Sequence, residues 1–160
     1  MAFATQADLE VAVGGPKKLL QLADFGGVGS LADSGVQAII VSWLDLGAAR
    51  VRAAVEVKHE PEVIAALDAE SRTLLRGWNA DLSARVAYER GTGGQGMPES
   101  VGDRAERAER DLDRVAAGSL RLGRSSGGTA AGINQPAGVI DHDPKGTAMS
   151  VRGMRYSGFR

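Results

Sequence analysis

Apolar residues recur at steps of three and four through the middle of this 160-residue chain. That spacing places them on one side of an α-helix, and no strand-like alternation appears in the same region. The sequence therefore predicts two long, antiparallel helices, one from about residue 33 to 58 and one from 61 to 90. Their apolar positions are Val36, Ile39, Ile40, Trp43, Leu44, Gly47, Val51, Ala54 and Val55 in the first, and Val63, Ile64, Leu67, Leu74, Leu75, Trp78, Leu82 and Val86 in the second.

Shorter helices are expected on both sides of this pair. Thr5 followed by Asp8 is typical of a capping box, and Gly14 with Gly15 predicts the end of that first helix. Pro16 is tolerated at the first position of a second short helix. A last, charged helix is expected to be capped by Ser100 or Asp103 and to end at Gly118. The predicted fold class is all-α, a small bundle of about five helices.

The charged helix has a narrow apolar seam with many charges between its members. The seam consists of Val101, Ala105, Ala108, Leu112 and Val115. Arg104, Glu106, Arg107 and Arg110 lie between these positions and are spaced for ion pairs within the helix. Two interpretations are open: a solvated face, or a charged seam between subunits.

The two tryptophans stand out because only 4% of the residues are aromatic. Trp43 and Trp78 both fall within apolar helical stripes. We expect them to be core residues or subunit-interface anchors and not platforms for a ligand.

The sequence changes character after Gly118. Nine glycines fall between Gly118 and Arg160, and apolar residues arrive singly or in pairs. Such a stretch cannot bury enough apolar surface to fold alone. We therefore predict two parts, a helical domain at 1–122 and an extended, Gly-rich C-terminal segment at 123–160 that becomes ordered against partner subunits. The residues expected to dock are Arg121, Arg124, Ile133, Val139, Ile140, Arg152, Met154, Arg155, Tyr156, Phe159 and Arg160.

Charge is unevenly distributed along the chain. From Gly118 onward six basic residues face two aspartates, a net charge of +4, whereas the preceding residues hold 13 basic and 18 acidic side chains, a net charge of −5. The basic segment is expected to dock on an acidic protein surface such as a neighbouring body. Contact of its arginines with DNA is the other interpretation.

No pattern in the sequence nominates a catalytic, cofactor or metal site. The chain has no cysteine and only two histidines, which leaves little for a transition-metal site. Glycine runs at 26–29 and 127–132 lack the Gly-Lys-Ser/Thr ending of a phosphate loop. The Asp141-His142-Asp143 stretch lacks the later ligands of a calcium loop and is interpreted as a turn. We expect a protein that is not an enzyme and needs no cofactor.

The sequence also lacks a candidate membrane segment. Gln37, Ser42 and Asp45 interrupt the longest apolar run, which is far shorter than the roughly 20 residues of a membrane helix. The first residues are a poor match to a signal peptide. A soluble protein assembled in the cytoplasm is expected.

Several short motifs occur in an order that resembles a known family. They are FATQADL at 3–9, LLQLAD at 19–24, PEVI at 61–64, DRAERAERDL at 103–112 and AAGSL at 116–120. Together with the long helix from about Asp33, this order is similar to that of the Mu-like phage head–tail adaptors, also called connector or head completion proteins. The resemblance covers roughly residues 3–122. It departs from the family in the loop at 26–29, where GGVG stands in place of an acidic stretch.

The resemblance implies a structural role in a virus particle. Family members form a ring, commonly of twelve copies, beneath the portal protein in the neck of the virion. The ring extends the DNA channel and receives the next neck or tail protein, a stopper or tail terminator. DNA passes through the lumen only transiently. The contrasting hypothesis is a small helical nucleic-acid-binding protein with a basic, flexible C-terminal segment.

Overall fold

The computed structural model describes residues 3–24, 29–92 and 96–123, and within these ranges it is helical and contains no strand. This confirms the all-α prediction. Six helices are present in these ranges rather than about five. They are α1 Gln6–Val13, α2 Pro16–Ala23, α3 Ser34–Glu56, α4 Pro61–Ala65, α5 Ala69–Gly91 and α6 Glu99–Ala116.

The first two helices have the local signals expected of them. Thr5 and Asp8 form a complete capping box, in which Asp8 Oδ2 accepts from the Thr5 backbone N–H at 2.7 Å. Gly14 and Gly15 both have positive φ, 102° and 116°, which side chains other than glycine adopt at a cost. Pro16 begins α2 directly after them.

The prediction of one helix from 61 to 90 is wrong, because the chain breaks between α4 and α5. Asp68 caps α5: its Oδ1 accepts from the Ser71 backbone N–H at 2.7 Å. Leu67 is fully buried immediately before this cap. The charged helix α6 also begins differently from the prediction, since it starts at Glu99 after Pro98 and not at a Ser100 or Asp103 cap.

The two long helices, α3 and α5, are antiparallel, as predicted. Ile40 and Trp43 near the start of α3 share a cluster with Ala84 and Tyr88 near the end of α5. At the other end, Val51 and Val55 share a second cluster with Leu75 and Trp78. The predicted seam of α6 is buried along its whole length, mostly in the second cluster: Val101, Ala105, Ala108, Leu112 and Val115.

Both tryptophans lie inside this body. Trp43 is 1% exposed and Trp78 is 7% exposed, so the side chains are used in the core of one chain. The chain divides into two units, Met1–Gly127 and Gly128–Arg160, and the second unit lies wholly outside the described residues.

Candidate docking surfaces

Most of the docking residues predicted in the C-terminal segment fall beyond residue 123 and so outside the part of the chain that the structure describes. These are Arg124, Ile133, Val139, Ile140, Arg152, Met154, Arg155, Tyr156, Phe159 and Arg160. Arg121 is described and is exposed. Its side chain is therefore accessible to a partner.

The first residue of this segment, Gly123, is hydrogen-bonded to the start of α5. The Gly123 backbone N–H donates to Ser71 Oγ at 2.8 Å, and the Gly123 carbonyl accepts from the Asp68 N–H at 3.1 Å. Leu122, one residue earlier, is buried in the second core cluster. We call the contact of Asp68, Ser71 and Gly123 the root clasp. The clasp holds Gly123 against the start of α5, one residue beyond the predicted domain boundary.

The charged residues of α6 divide into two groups. Glu106, Arg107 and Arg110 are exposed, and either interpretation of this face remains open. Arg104 instead bonds within its own subunit. Its guanidinium donates to the Ala12 carbonyl at 2.5 Å, and its Nε lies 3.0 Å from Asp81 Oδ1, an ion pair without hydrogen-bond alignment.

Arg104 forms one wall of a groove of about 440 Å³ between α1, α5 and α6. We call it the α1–α5 groove. Val11, at 81% exposure, projects beside it, and Gly77 and Ala80 supply small floor positions. The lining residues are Asp8, Val11, Ala12, Thr73, Arg76, Gly77, Ala80, Asp81 and Arg104. Its mixture of small apolar floor and charged rim is suited to holding protein side chains.

Two ion pairs flank this groove, and their carboxylates have different pKa values. The hydrogen bond from Arg76 is the main cause that lowers the pKa of Asp8 to about 2, and the contact is short at 2.7 Å. Burial raises the pKa of Asp81 above 3.8, although Arg104 opposes the shift. Asp81 is therefore costly to keep ionised in the fold, and Arg104 offsets that cost.

Replacing Arg104 with Met is expected to lower the free energy of unfolding by about 1–2 kcal/mol at pH 7, because a half-buried carboxylate loses its counter-ion. A raised carboxyl pKa gives stability that is present below 3.8 and lost as the pH rises through the folded-state value. The deficit of the variant should therefore shrink as the pH falls from 7 toward 4. Urea unfolding at several pH values measures it.

Two further variants make this test specific. Arg107→Met removes an exposed arginine of the same helix and should change stability by no more than about 0.5 kcal/mol. Adding Asp81→Asn to Arg104→Met should abolish the pH dependence of the deficit. A deficit that stays constant from pH 7 to pH 4 would show that Arg104 stabilises the fold through its hydrogen bond to the Ala12 carbonyl or through packing, and not through Asp81.

A second exposed surface lies on α3, on the side of that helix away from α5. Val41 is 50% exposed there, and Ala38, Ser42, Asp45 and Ala49 are exposed beside it. We call this set the α3 outer face. Sequence analysis missed it, although a signal was present: Val41 does not fall on the stripe formed by Val36, Ile40, Trp43, Gly47 and Val51.

Other kinds of site find little support in the described ranges. There, no group of three or more metal-binding side chains comes together, and no helix is long and apolar enough to cross a membrane. Comparisons of the chain with protein-family models, curated proteins and solved structures found no match. The resemblance to head–tail adaptors therefore stays a prediction from the motifs.

Proposed function

We propose that this chain is a structural subunit of a tailed-phage particle, a head–tail adaptor that forms a ring of about twelve copies below the portal protein. The observation that carries the proposal is the root clasp. It anchors the chain at Gly123, and the 37 residues that follow are too poor in apolar side chains to form a core. A fixed root with such a sequence beyond it is suited to reaching neighbouring subunits.

The exposed surfaces of the helical body support an assembly role. The α1–α5 groove and the α3 outer face both present apolar side chains to solvent, Val11 and Val41 among them. Contiguous exposed apolar surface marks sites where proteins associate, and we propose that these two surfaces have that role. In the proposed ring these surfaces meet other subunits, and the C-terminal segment binds the portal, a neighbour or the next neck protein.

The electrostatics favour passage of DNA over tight binding. Residues 1–117 carry a net charge of −5. Several arginines of the body are paired with carboxylates: Arg50 and Arg85 both reach Glu109, at 3.2 and 3.4 Å. Arginines held in this way are less available to phosphates. A lumen lined by such a surface would let DNA slide, and the particle neck is the proposed location.

The proposal is tested by native mass spectrometry of the full chain with and without the portal protein of the same phage or prophage. We expect a discrete complex with about twelve copies of this chain per portal ring. A chain truncated after Gly123 keeps the root clasp and should retain its helical circular dichroism. It should nevertheless lose the portal complex.

A matched full-length variant separates docking from mere chain length. Replacing Met154, Tyr156 and Phe159 with serine keeps all 160 residues and should weaken the complex as truncation does. Unchanged portal binding after truncation would contradict the role of the segment. A full chain that ignores the portal and binds duplex DNA, with an affinity that falls steeply with salt, would instead support the nucleic-acid hypothesis.

A further inference from the structure

The two exposed surfaces lie on different sides of the helical body. On α5, Asn79 and Ser83 contact α3 at Gly47, whereas Gly77 and Ala80 line the α1–α5 groove. At 3.6 residues per turn, these two pairs face different sides of the helix. On α3, Asp45 lies roughly half a turn from Gly47, so the α3 outer face points away from α5.

We propose that the α3 outer face of one copy docks in the α1–α5 groove of the next copy. The inference rests on the proposed ring and assigns the surfaces that build it. The shapes are suited to each other, because the groove has a floor of Gly77 and Ala80 and the α3 outer face offers Val41 as a projecting side chain. Val11 then packs beside the incoming helix.

Charge gives an independent reason to pair these surfaces. At both ion pairs of the groove the arginine is the more exposed partner: Arg76 is 52% exposed against 21% for Asp8, and Arg104 is 41% exposed against 24% for Asp81. The rim therefore presents its arginines to a partner more than its carboxylates. Between residues 34 and 49 the only charged residue is Asp45, and it is exposed. In the proposed contact, Asp45 of one copy therefore lies against the exposed Arg76 and Arg104 of the next copy.

The position of the surfaces sets the type of assembly. Two different patches on one chain make a head-to-tail contact, in which each copy uses its α3 outer face on one neighbour and its groove on the other. Repetition of such a contact closes a ring when the rotation between copies divides a full turn. A twofold dimer would instead require one patch to meet itself.

Cross-linking tests this assignment directly, because the chain contains no cysteine of its own. Val41→Cys and Gly77→Cys are combined in one full-length chain and treated with a short bismaleimide in the portal complex. A Cβ at Gly77 meets nothing within 4 Å, so the substitution has room. We expect a ladder of cross-linked multimers from the double variant, no cross-link from either single variant, and dimers only from a mixture of the two.

Val57 supplies the matched control, since it is 61% exposed and lies at the end of α3, off the α3 outer face. The pair Val57→Cys and Gly77→Cys should give no ladder. Val41→Lys, which places a cation against the outward arginines of the groove, should weaken self-association at least tenfold, and Val57→Lys should leave it unchanged.

The outcomes distinguish this inference from the proposed function. Cross-linking of Val41→Cys to itself would overturn the head-to-tail assignment in favour of a twofold contact. An intact oligomer that gives no ladder, together with a Val41→Lys variant that assembles normally, would overturn the docking surfaces alone. Absence of any oligomer, even with the portal, would overturn the ring and this inference together.

Discussion

A Trp43→Ala variant should lose about 3–5 kcal/mol of unfolding free energy, the cost typical of removing a large buried aromatic side chain. Trp43 is 1% exposed, and its cluster contains Leu9 of α1, Leu19 of α2 and Tyr88 of α5. The indole therefore belongs to a cluster to which five helices contribute, α1, α2, α3, α5 and α6, and alanine would leave a cavity among them. Domains of this size have a free energy of unfolding of only about 5–15 kcal/mol, so this one substitution should remove a large part of it.

Guanidinium unfolding followed by circular dichroism measures this loss, with Val41→Ala as the control. Val41 lies two residues earlier on the same helix but is 50% exposed, so its truncation should change stability by about 0.5 kcal/mol or less. A loss below about 1 kcal/mol for Trp43→Ala would mean that α1 and α2 contribute little to the cooperative core.

The helical architecture could be predicted from the sequence because its signals are local. Helical apolar spacing located α3 and the seam of α6, and the Thr5–Asp8 capping box located the start of α1. Each of these signals lies within a few turns of one helix. The order and antiparallel packing of the long helices followed from their amphipathic stripes.

The features that sequence analysis missed depend on contacts between distant residues. Ile64 and Leu67 continue the apolar spacing and so hid the break before α5, although Asp68 is a local signal for the start of a helix. The cap at Asp68 is accompanied by the return of Gly123, 55 residues later along the chain, to pair with its backbone. The sequence did not distinguish Arg104 from the exposed charged residues beside it on α6, because its partners, Ala12 and Asp81, lie on other helices. The exposure of Val41 likewise depends on which helices pack around α3.

Helices α3 and α5 approach each other closely at Gly47, and adding one methyl group at this position should be destabilising. A Cβ at Gly47 would lie 2.6 Å from Asn79 Oδ1 and 2.9 Å from the Asn79 carbonyl oxygen, and would also overlap Ser83 Oγ. The Asn79 carbonyl belongs to the backbone of α5, so it can yield only if the two helices separate. Gly47→Ala should therefore cost about 1–3 kcal/mol, even though alanine favours helix.

Gly77→Ala is the matched control, because it makes the same change within a helix where a Cβ meets nothing within 4 Å. It should raise stability by about 0.5–1 kcal/mol, so the two variants should differ in sign. Adding Ser83→Ala to Gly47→Ala removes one of the overlapping atoms and should recover part of the loss. It leaves Asn79 in place, a fully buried side chain whose Oδ1 accepts from Ser83 Oγ at 3.2 Å and whose Nδ2 has no hydrogen-bond partner among the described residues. Equal effects of Gly47→Ala and Gly77→Ala in denaturant unfolding would show that α3 and α5 can move apart at little cost, and that close approach at Gly47 does not set their packing.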